Sequence, residues 1–193
     1  MLTLAKRRQM RDMNVKEIRA GMDAALRDAG LEERRLATGT PKVWSLPAAE
    51  VVRFFQPQAI RRSWGFIYGG SIGIELPDLR RWLKEFKPGD EASVFRSSFV
   101  SYLIINEDVL GEFMVEHGKP VPFDLWAGLI KDRLERVPPT LDGLISAYRR
   151  RREELGWLAH PHLRHAWEFL LRWKQDPDPS LRVPTTLLDG RIA

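Results

Sequence analysis

The alternation of residue types at positions 64–76 constrains the fold more than any other feature of this sequence. Every second residue there is large and apolar, apart from Gly70, whereas the residues between them are mostly small. Because successive side chains of a β-strand point to opposite faces, the pattern predicts a strand that packs its heavy face on a core. The other face would leave room for a closely approaching element. The adjacent glycines Gly69 and Gly70 predict a bulge or the turn of a hairpin.

Helical spacing dominates on both sides of this strand. Residues 14–29 repeat apolar side chains at that spacing, start at a capping residue, Asn14, and stop at Gly30. A short amphipathic helix is expected to begin at Pro77. From residue 107 onward the spacing is helical throughout. It predicts helices over three stretches, namely 123–137, from Thr140 to Gly156, and 161–175.

Shorter β-like runs at 43–46, 51–55 and 94–105 complete the predicted elements. The fold class is therefore α+β, with an N-terminal helix, an antiparallel sheet and then a helical C-terminal half. The chain length fits one domain. The predicted organisation is a basic N-terminal arm (1–13), a single α+β domain (14–176, sheet-rich over 14–106 and helical over 107–176) and a C-terminal tail (177–193) docked through Leu187 and Leu188.

The charge and cysteine content exclude several classes of protein. The chain of 193 residues has 31 Lys and Arg against 26 Asp and Glu, a net charge of +5. This balance is below the bias expected of a dedicated nucleic-acid binder. With no cysteine, the chain has neither a disulfide framework nor thiolate chemistry. Its first residues do not resemble a secretory signal, so a cytoplasmic location is predicted. The uncharged stretch 64–74 is too short to span a membrane.

Ser71 lies in a G-x-S-x-G pattern, Gly69-Gly70-Ser71-Ile72-Gly73, which resembles the nucleophile elbow of serine hydrolases. That chemistry requires a serine on a tight turn between a strand and a helix. Here the alternation continues unbroken through Ser71, which places the serine inside a strand. A hydrolase is therefore the last of three functional hypotheses. No phosphate-binding glycine loop is present, and no cofactor is predicted.

His162 and His165 are the weak candidates for a metal site. In a helix that starts near residue 161 they are three residues apart and share a face. A zinc site needs a third ligand, and Glu168 is expected on a different face. The sequence therefore predicts no metal.

Basic and aromatic residues supply the remaining candidate binding residues. Four consecutive arginines at 149–152 are expected in the middle of a helix, where Arg149 and Arg151 would face different directions. Together with Arg61, Arg62 and the basic N-terminal arm they would make a plausible nucleic-acid surface. Trp44 is a candidate interface anchor, since tryptophan is enriched at protein interfaces.

The order of signals in the first half resembles a bacterial domain-of-unknown-function family, the one numbered 4304. The resemblance covers residues 14–105. It lies in a helix that ends in a glycine and an apolar residue (Gly30-Leu31), a strand with a tryptophan (Val43-Trp44), and an extended segment ending in a glycine and a hydrophobic residue (Gly73-Ile74). It implies an α+β bacterial protein that works by binding another protein, and it carries over no catalytic residue.

The leading hypothesis is a cytoplasmic, non-catalytic protein-binding module, acting on a protein partner or on a second copy of itself. Its predicted surface is the small-residue face of Gly69, Gly70, Ser71 and Gly73 with nearby tryptophan and arginine residues. Nucleic-acid binding is the second hypothesis. No membrane partner is expected.

Overall fold

The computed structural model describes residues 15–35, 42–47, 50–62, 65–89, 95–98, 114–116, 120–150, 155 and 161–184. It confirms the α+β class, with an N-terminal helix, an antiparallel sheet and C-terminal helices. The elements of the first half are α1 (Val15–Asp28), β1 (Glu32–Arg35), β2 (Lys42–Ser45), β3 (Val52–Arg62), β4 (Gly65–Glu75), α2 (Pro77–Phe86) and β5 (Phe95–Ser98). They are followed by β6 (Met114–Glu116), α3 (Phe123–Arg136), α4 (Leu141–Arg149), a 3-10 turn (Pro161–Leu163) and α5 (Arg164–Gln175).

The sheet has the order β1-β2-β3-β4-β5, and β6 pairs with the opposite end of β4. All pairs are antiparallel. Strand β4 is therefore the central strand: β3 runs along one side, whereas β5 and β6 share the other. The heavy face of β4, with Tyr68, Ile72 and Ile74, is buried in a core that also includes residues of α1 and α3.

The two long strands form a hairpin without the bulge predicted at the glycine pair. Register partners run without a break from Val52 with Glu75 to Arg62 with Gly65, so β4 passes straight through both glycines. Gly70 has a different role. A Cβ added there would lie 2.1 Å from the Gln56 carbonyl oxygen and 2.6 Å from the Phe55 ring. This glycine allows β3 and the Phe55 ring to approach β4 closely.

Helix ends follow the local sequence closely. After α1, Gly30 has φ +86°, and the Leu31 N–H donates to the Leu26 carbonyl at 3.0 Å. This is the Schellman arrangement that a glycine followed by an apolar residue favours. Pro77 is the first residue of α2, and the Thr140 hydroxyl accepts a hydrogen bond from the Gly143 N–H at 3.1 Å to cap α4. Asn14 lies outside the described residues.

The structure also corrects other sequence-based predictions. Strand β6 lies in the half predicted to be helical throughout, because its three residues pair with Gly65–Ile67 of β4. Strand β1, with the residues Glu-Glu-Arg-Arg, was not predicted, since four charged residues lack any apolar alternation. Helix α4 ends at Arg149 with Arg150 as its C-cap, so this helix does not extend to Gly156 as predicted, and the other two arginines of the run lie outside the described residues. The far part of the predicted strand 94–105 lies outside the described residues.

No helix in the described part of the chain combines the length and apolar character needed to cross a bilayer.

Candidate functional site

The small-residue face of β4 is closed in this structure. Gly69, Gly70 and Gly73 are buried and Ser71 is half-buried, so the glycines offer little surface to a partner. Ser71 lies in mid-strand, with Gln56 and Ser98 as its register partners. A nucleophile elbow requires its serine on a tight turn between a strand and a helix, and Ser71 is not on such a turn.

Gly70 belongs to the heavy face, whereas Gly73 is on the second face of the sheet, where large and polar side chains are buried. Phe54 is the register partner of Gly73 and is fully buried, as is Val43 on β2. Glu75 at the end of β4 is 4% exposed, and its carboxylate accepts a hydrogen bond from the Arg80 guanidinium at 2.7 Å. The absence of side chains on β4 therefore serves packing within the chain.

Trp44 is a core residue and not an exposed anchor. It lies on β2 and is fully buried, and its Nε1–H donates to Asp23 Oδ1 of α1 at 3.2 Å. The Lys42 ammonium lies 4.8 Å from the centre of the indole ring and also pairs with Asp23 at 2.8 Å. Burial lowers the pKa of Lys42, but hydrogen bonds to Asp23 and Glu33 outweigh it and raise that pKa. This cluster fixes α1 to the sheet.

The structure does not show the candidate arginines, at positions 61, 62, 149 and 151, as one surface patch. Arg149 is exposed at the last residue of α4. Arg61 and Arg62 end strand β3, and their side chains lie outside the description, as does Arg151 entirely.

The prediction about Glu168 and the histidines was wrong. His165 and Glu168 are three residues apart on α5, and His165 Nδ1 lies 3.4 Å from Glu168 Oε2. Residues three apart are neighbours on a helix, so the two share a face. Still, no group of three or more His, Cys, Asp or Glu side chains in the described residues is arranged to hold a metal. The His162 side chain is not described.

A groove with described side chains lies beside α5. It forms because the chain reverses after α5 and runs back along it. The Trp82 Nε1–H of α2 donates to the Pro177 carbonyl at 2.8 Å, and Asp178 Oδ1 accepts from the Ser180 N–H at 2.7 Å. That second bond lowers the pKa of Asp178. A further bond, from the Leu181 N–H to the Asp178 carbonyl at 3.0 Å, closes the turn.

The groove has a volume of about 510 Å³, within the range of sites that bind small molecules or short peptide segments. Its walls are one face of α5 and the returning segment. Phe169, Leu181 and Val183 form an apolar floor. The ring centre of Phe169 lies 6.2 Å from that of Trp82. Among the described residues the groove is lined by His165, Glu168, Phe169, Arg172, Leu181, Arg182, Val183 and Pro184.

The rim of this groove is cationic. Arg172 and Arg182 are exposed, and neither takes part in any of the ion pairs within the described residues. The carboxylate of the rim, Glu168, accepts a hydrogen bond from Arg164 at 2.8 Å. That bond from Arg164, together with His165, lowers the pKa of Glu168. The one carboxylate among the described lining residues, Glu168, is thus paired with Arg164 and His165, and it forms no ion pair with Arg172 or Arg182.

Sequence reasoning missed the groove because it assigned residues 177–193 to a tail. One signal was present: Leu181 and Val183 alternate with Arg182 directly after a turn rich in proline and aspartate. That alternation indicates an extended segment with one apolar face. Nothing local shows that α5 is the surface it packs against.

No family model matches the chain, and neither the curated proteins nor the solved structures yield a match.

Proposed function

We propose that the protein is a non-catalytic protein-binding module, and that the α5 groove binds an extended partner segment carrying both acidic and apolar side chains. The observation that supports this most directly is the pairing of an apolar floor with two arginines that no described carboxylate neutralises. Apolar side chains would gain from burial on Leu181 and Val183, which are half-buried. Carboxylates would form charge-assisted hydrogen bonds with Arg172 and Arg182.

An acidic peptide fits the groove better than a nucleic acid does. Single-stranded nucleic acids use exposed aromatic faces on which bases stack. The aromatic ring of the groove, Phe169, is only 5% exposed and is engaged by Trp82. Elsewhere several described basic side chains are already paired with carboxylates, among them Lys42, Arg80 and Lys174. Others, Arg136 and Arg149 among them, are exposed elsewhere, so the preference for an acidic peptide depends on the combination of arginines with the apolar floor.

Three further parts of this proposal rest on the sequence alone. They are a cytoplasmic location, with which the absence of cysteine agrees, a bacterial origin, and membership of the family numbered 4304, which the order of signals over residues 14–105 resembles.

The test measures fluorescence anisotropy with labelled hexapeptides that alternate glutamate and leucine. The full chain is expected to bind this peptide and to bind the matching lysine–leucine peptide at least about tenfold more weakly. Replacing both groove arginines, R172E/R182E, should lower affinity for the acidic peptide at least about tenfold. The control, R136E/R149E, makes the same charge change at two exposed arginines of other helices and should keep the affinity.

Equal binding of the two peptides, or unchanged binding by R172E/R182E, would overturn the groove as the binding site. A labelled single-stranded oligonucleotide serves as the third probe. If it binds more tightly than the acidic peptide, with an affinity that falls steeply with salt and is lost in R136E/R149E, the nucleic-acid hypothesis replaces this one.

A further inference from the structure

Strand β1 is an edge strand whose four side chains are all charged. Among the strands that the structure describes, it is the last on its side of the sheet, and its register partners are all on β2. Glu32, Glu33 and Arg35 are exposed, and Arg34 is half-buried. The main-chain N–H and C=O groups of a strand point alternately to its two sides. Half of those of β1 therefore point away from β2, where an added strand would pair with them.

Two of these charged residues take part in none of the ion pairs within the described residues, namely Glu32 and Arg34. They are two positions apart on a strand, so their side chains are on the same face of the sheet. Glu33, on the opposite face, already pairs with Lys42, with 2.9 Å between its Oε2 and the Lys42 Nζ. Lys42 also pairs with Asp23. Strand β1 thus presents a carboxylate and a guanidinium that no described ion pair satisfies.

The order of the charges on β1 is complementary to itself. Directly opposed residues of an antiparallel pair point to the same face, so a two-fold axis perpendicular to the sheet passes between one residue and its own copy. When that residue is Glu33, Glu32 of each copy lies opposite Arg34 of the other. The Cβ atoms of such opposed residues are about 5 Å apart, within reach of an ion pair. We propose that two copies of this chain associate through β1 in this register, independently of the α5 groove.

The neighbouring two-fold register, centred on Arg34, is less favourable. It places two guanidinium groups opposite each other, and Arg34 has no described carboxylate partner. In the register centred on Glu33 the like charges at the axis are carboxylates that each pair with Lys42. Arg35 of the other copy also lies diagonally opposite each of them, within reach of a long side chain. Because like charges directly opposite each other destabilise a sheet and unlike charges stabilise it, the charges of β1 select one register.

The interface is small, so we expect the association to be weak. A standard stable complex uses about 20–30 residues on each side, whereas β1 has four. We expect a dissociation constant in the micromolar range or above. Since the ion pairs between the copies would be exposed, the association should weaken as the salt concentration rises.

The test is analytical ultracentrifugation of the full chain at low salt, at concentrations from about 1 to about 300 µM. E32R and R34E each place like charges in both ion pairs between the copies, so either variant should weaken self-association at least about tenfold. In an equimolar mixture the two variants should associate with each other. The reason is that one chain then presents two arginines at these positions and the other presents two glutamates. The double variant E32R/R34E exchanges the charges and should self-associate as the unmodified chain does.

Two control variants make the same changes of charge away from β1. K84E and D132R alter exposed residues of α2 and α3 that take part in no described ion pair, and both should leave self-association unaltered. Circular dichroism during thermal unfolding should give the same midpoint for E32R and R34E as for the controls, because Glu32 and Arg34 have no described partner to lose.

The outcomes separate pairing through β1 from other modes of association. A chain that stays monomeric over the whole concentration range would refute it, as would self-association that survives both single variants. A mixture of E32R and R34E that stays monomeric would refute the register centred on Glu33. If R172E/R182E abolishes self-association while E32R does not, the second copy occupies the α5 groove, which overturns β1 as the interface and leaves the groove as a binding site.

Discussion

Strand β4 and the α5 groove differ in how visible they are in the sequence and in how open they are in the structure. The glycines of β4 stand out in the sequence, yet they are buried against β3 and its aromatic side chains. The groove residues form no recognisable motif, yet they combine an open cavity with two arginines that no described carboxylate pairs. The comparison teaches that an unusual residue pattern can report tight packing, whereas a binding surface depends on what remains uncovered. It follows that substitutions in β4 should cost stability and substitutions in the groove should not.

The sharpest test of β4 as a packing strand is Gly70→Ala. The added Cβ would lie 2.1 Å from a backbone oxygen, which cannot move without shifting β3. We expect a loss of about 3 kcal/mol or more in the free energy of unfolding, measured by urea denaturation. The control is Gly128→Ala on α3, where an added Cβ meets nothing within 4 Å, and it should stabilise by about 0.5–1 kcal/mol. A tolerated G70A would show that the close approach at Gly70 is not required.

The next largest effect is expected at the end of β4. Arg80 is hydrogen-bonded at 2.7 Å to the carboxylate of Glu75, whose side chain is 5% exposed. Replacing Arg80 with methionine would leave that carboxylate without this partner. Because an unpaired buried charge is costly and Arg80 itself is partly exposed, we expect a loss of about 2 kcal/mol. The neighbouring Arg81 pairs with Asp78 on the surface, so R81M should cost less than about 0.5 kcal/mol. Equal costs for the two variants would place Glu75 in a solvated environment.

Tyr68, on the core face of β4, is expected to make the stability of the fold depend on pH. Burial, with a contribution from Asp23, raises the pKa of this phenol above its ordinary value. The folded state therefore favours the neutral form, and its advantage is complete below pH 10, the pKa of an unfolded tyrosine, and declines above it. At pH 11 the unmodified chain should lose about 1.4 kcal/mol more stability, relative to pH 9, than Tyr68→Phe does. Identical losses in urea denaturation would contradict this.

The smallest effect on stability is expected in the groove. Arg172 and Arg182 are exposed and take part in no described ion pair, so R172E/R182E should change the free energy of unfolding by less than about 0.5 kcal/mol. The same variant should lose binding of the acidic peptide. A loss of several kcal/mol on this double substitution would remove the contrast between the two regions, since the arginines would then be structural.

Part of the fold was predictable because it depends on neighbours in the sequence. The end of α1 at Gly30, the cap of α4 by Thr140 and the faces of β4 each follow from residues within a few positions. The candidate site was not predicted from the sequence: of the residues singled out there, only His165 lines the groove, and it was named as a weak metal candidate. Trp44 and the β4 glycines were expected at the surface and are buried.

The sequence by itself determined where most helices and strands lie and which face of β4 is heavy, since these depend on local spacing and capping. Only the tertiary structure decided that β6 joins the sheet, that Gly70 accommodates Gln56 and Phe55, and that a groove opens beside α5. The turn that leads from α5 to the other wall of the groove accepts a hydrogen bond at Pro177 from Trp82, 95 positions away in the chain. A contact over such a separation leaves no periodic trace in the sequence, because it forms only when the whole chain packs.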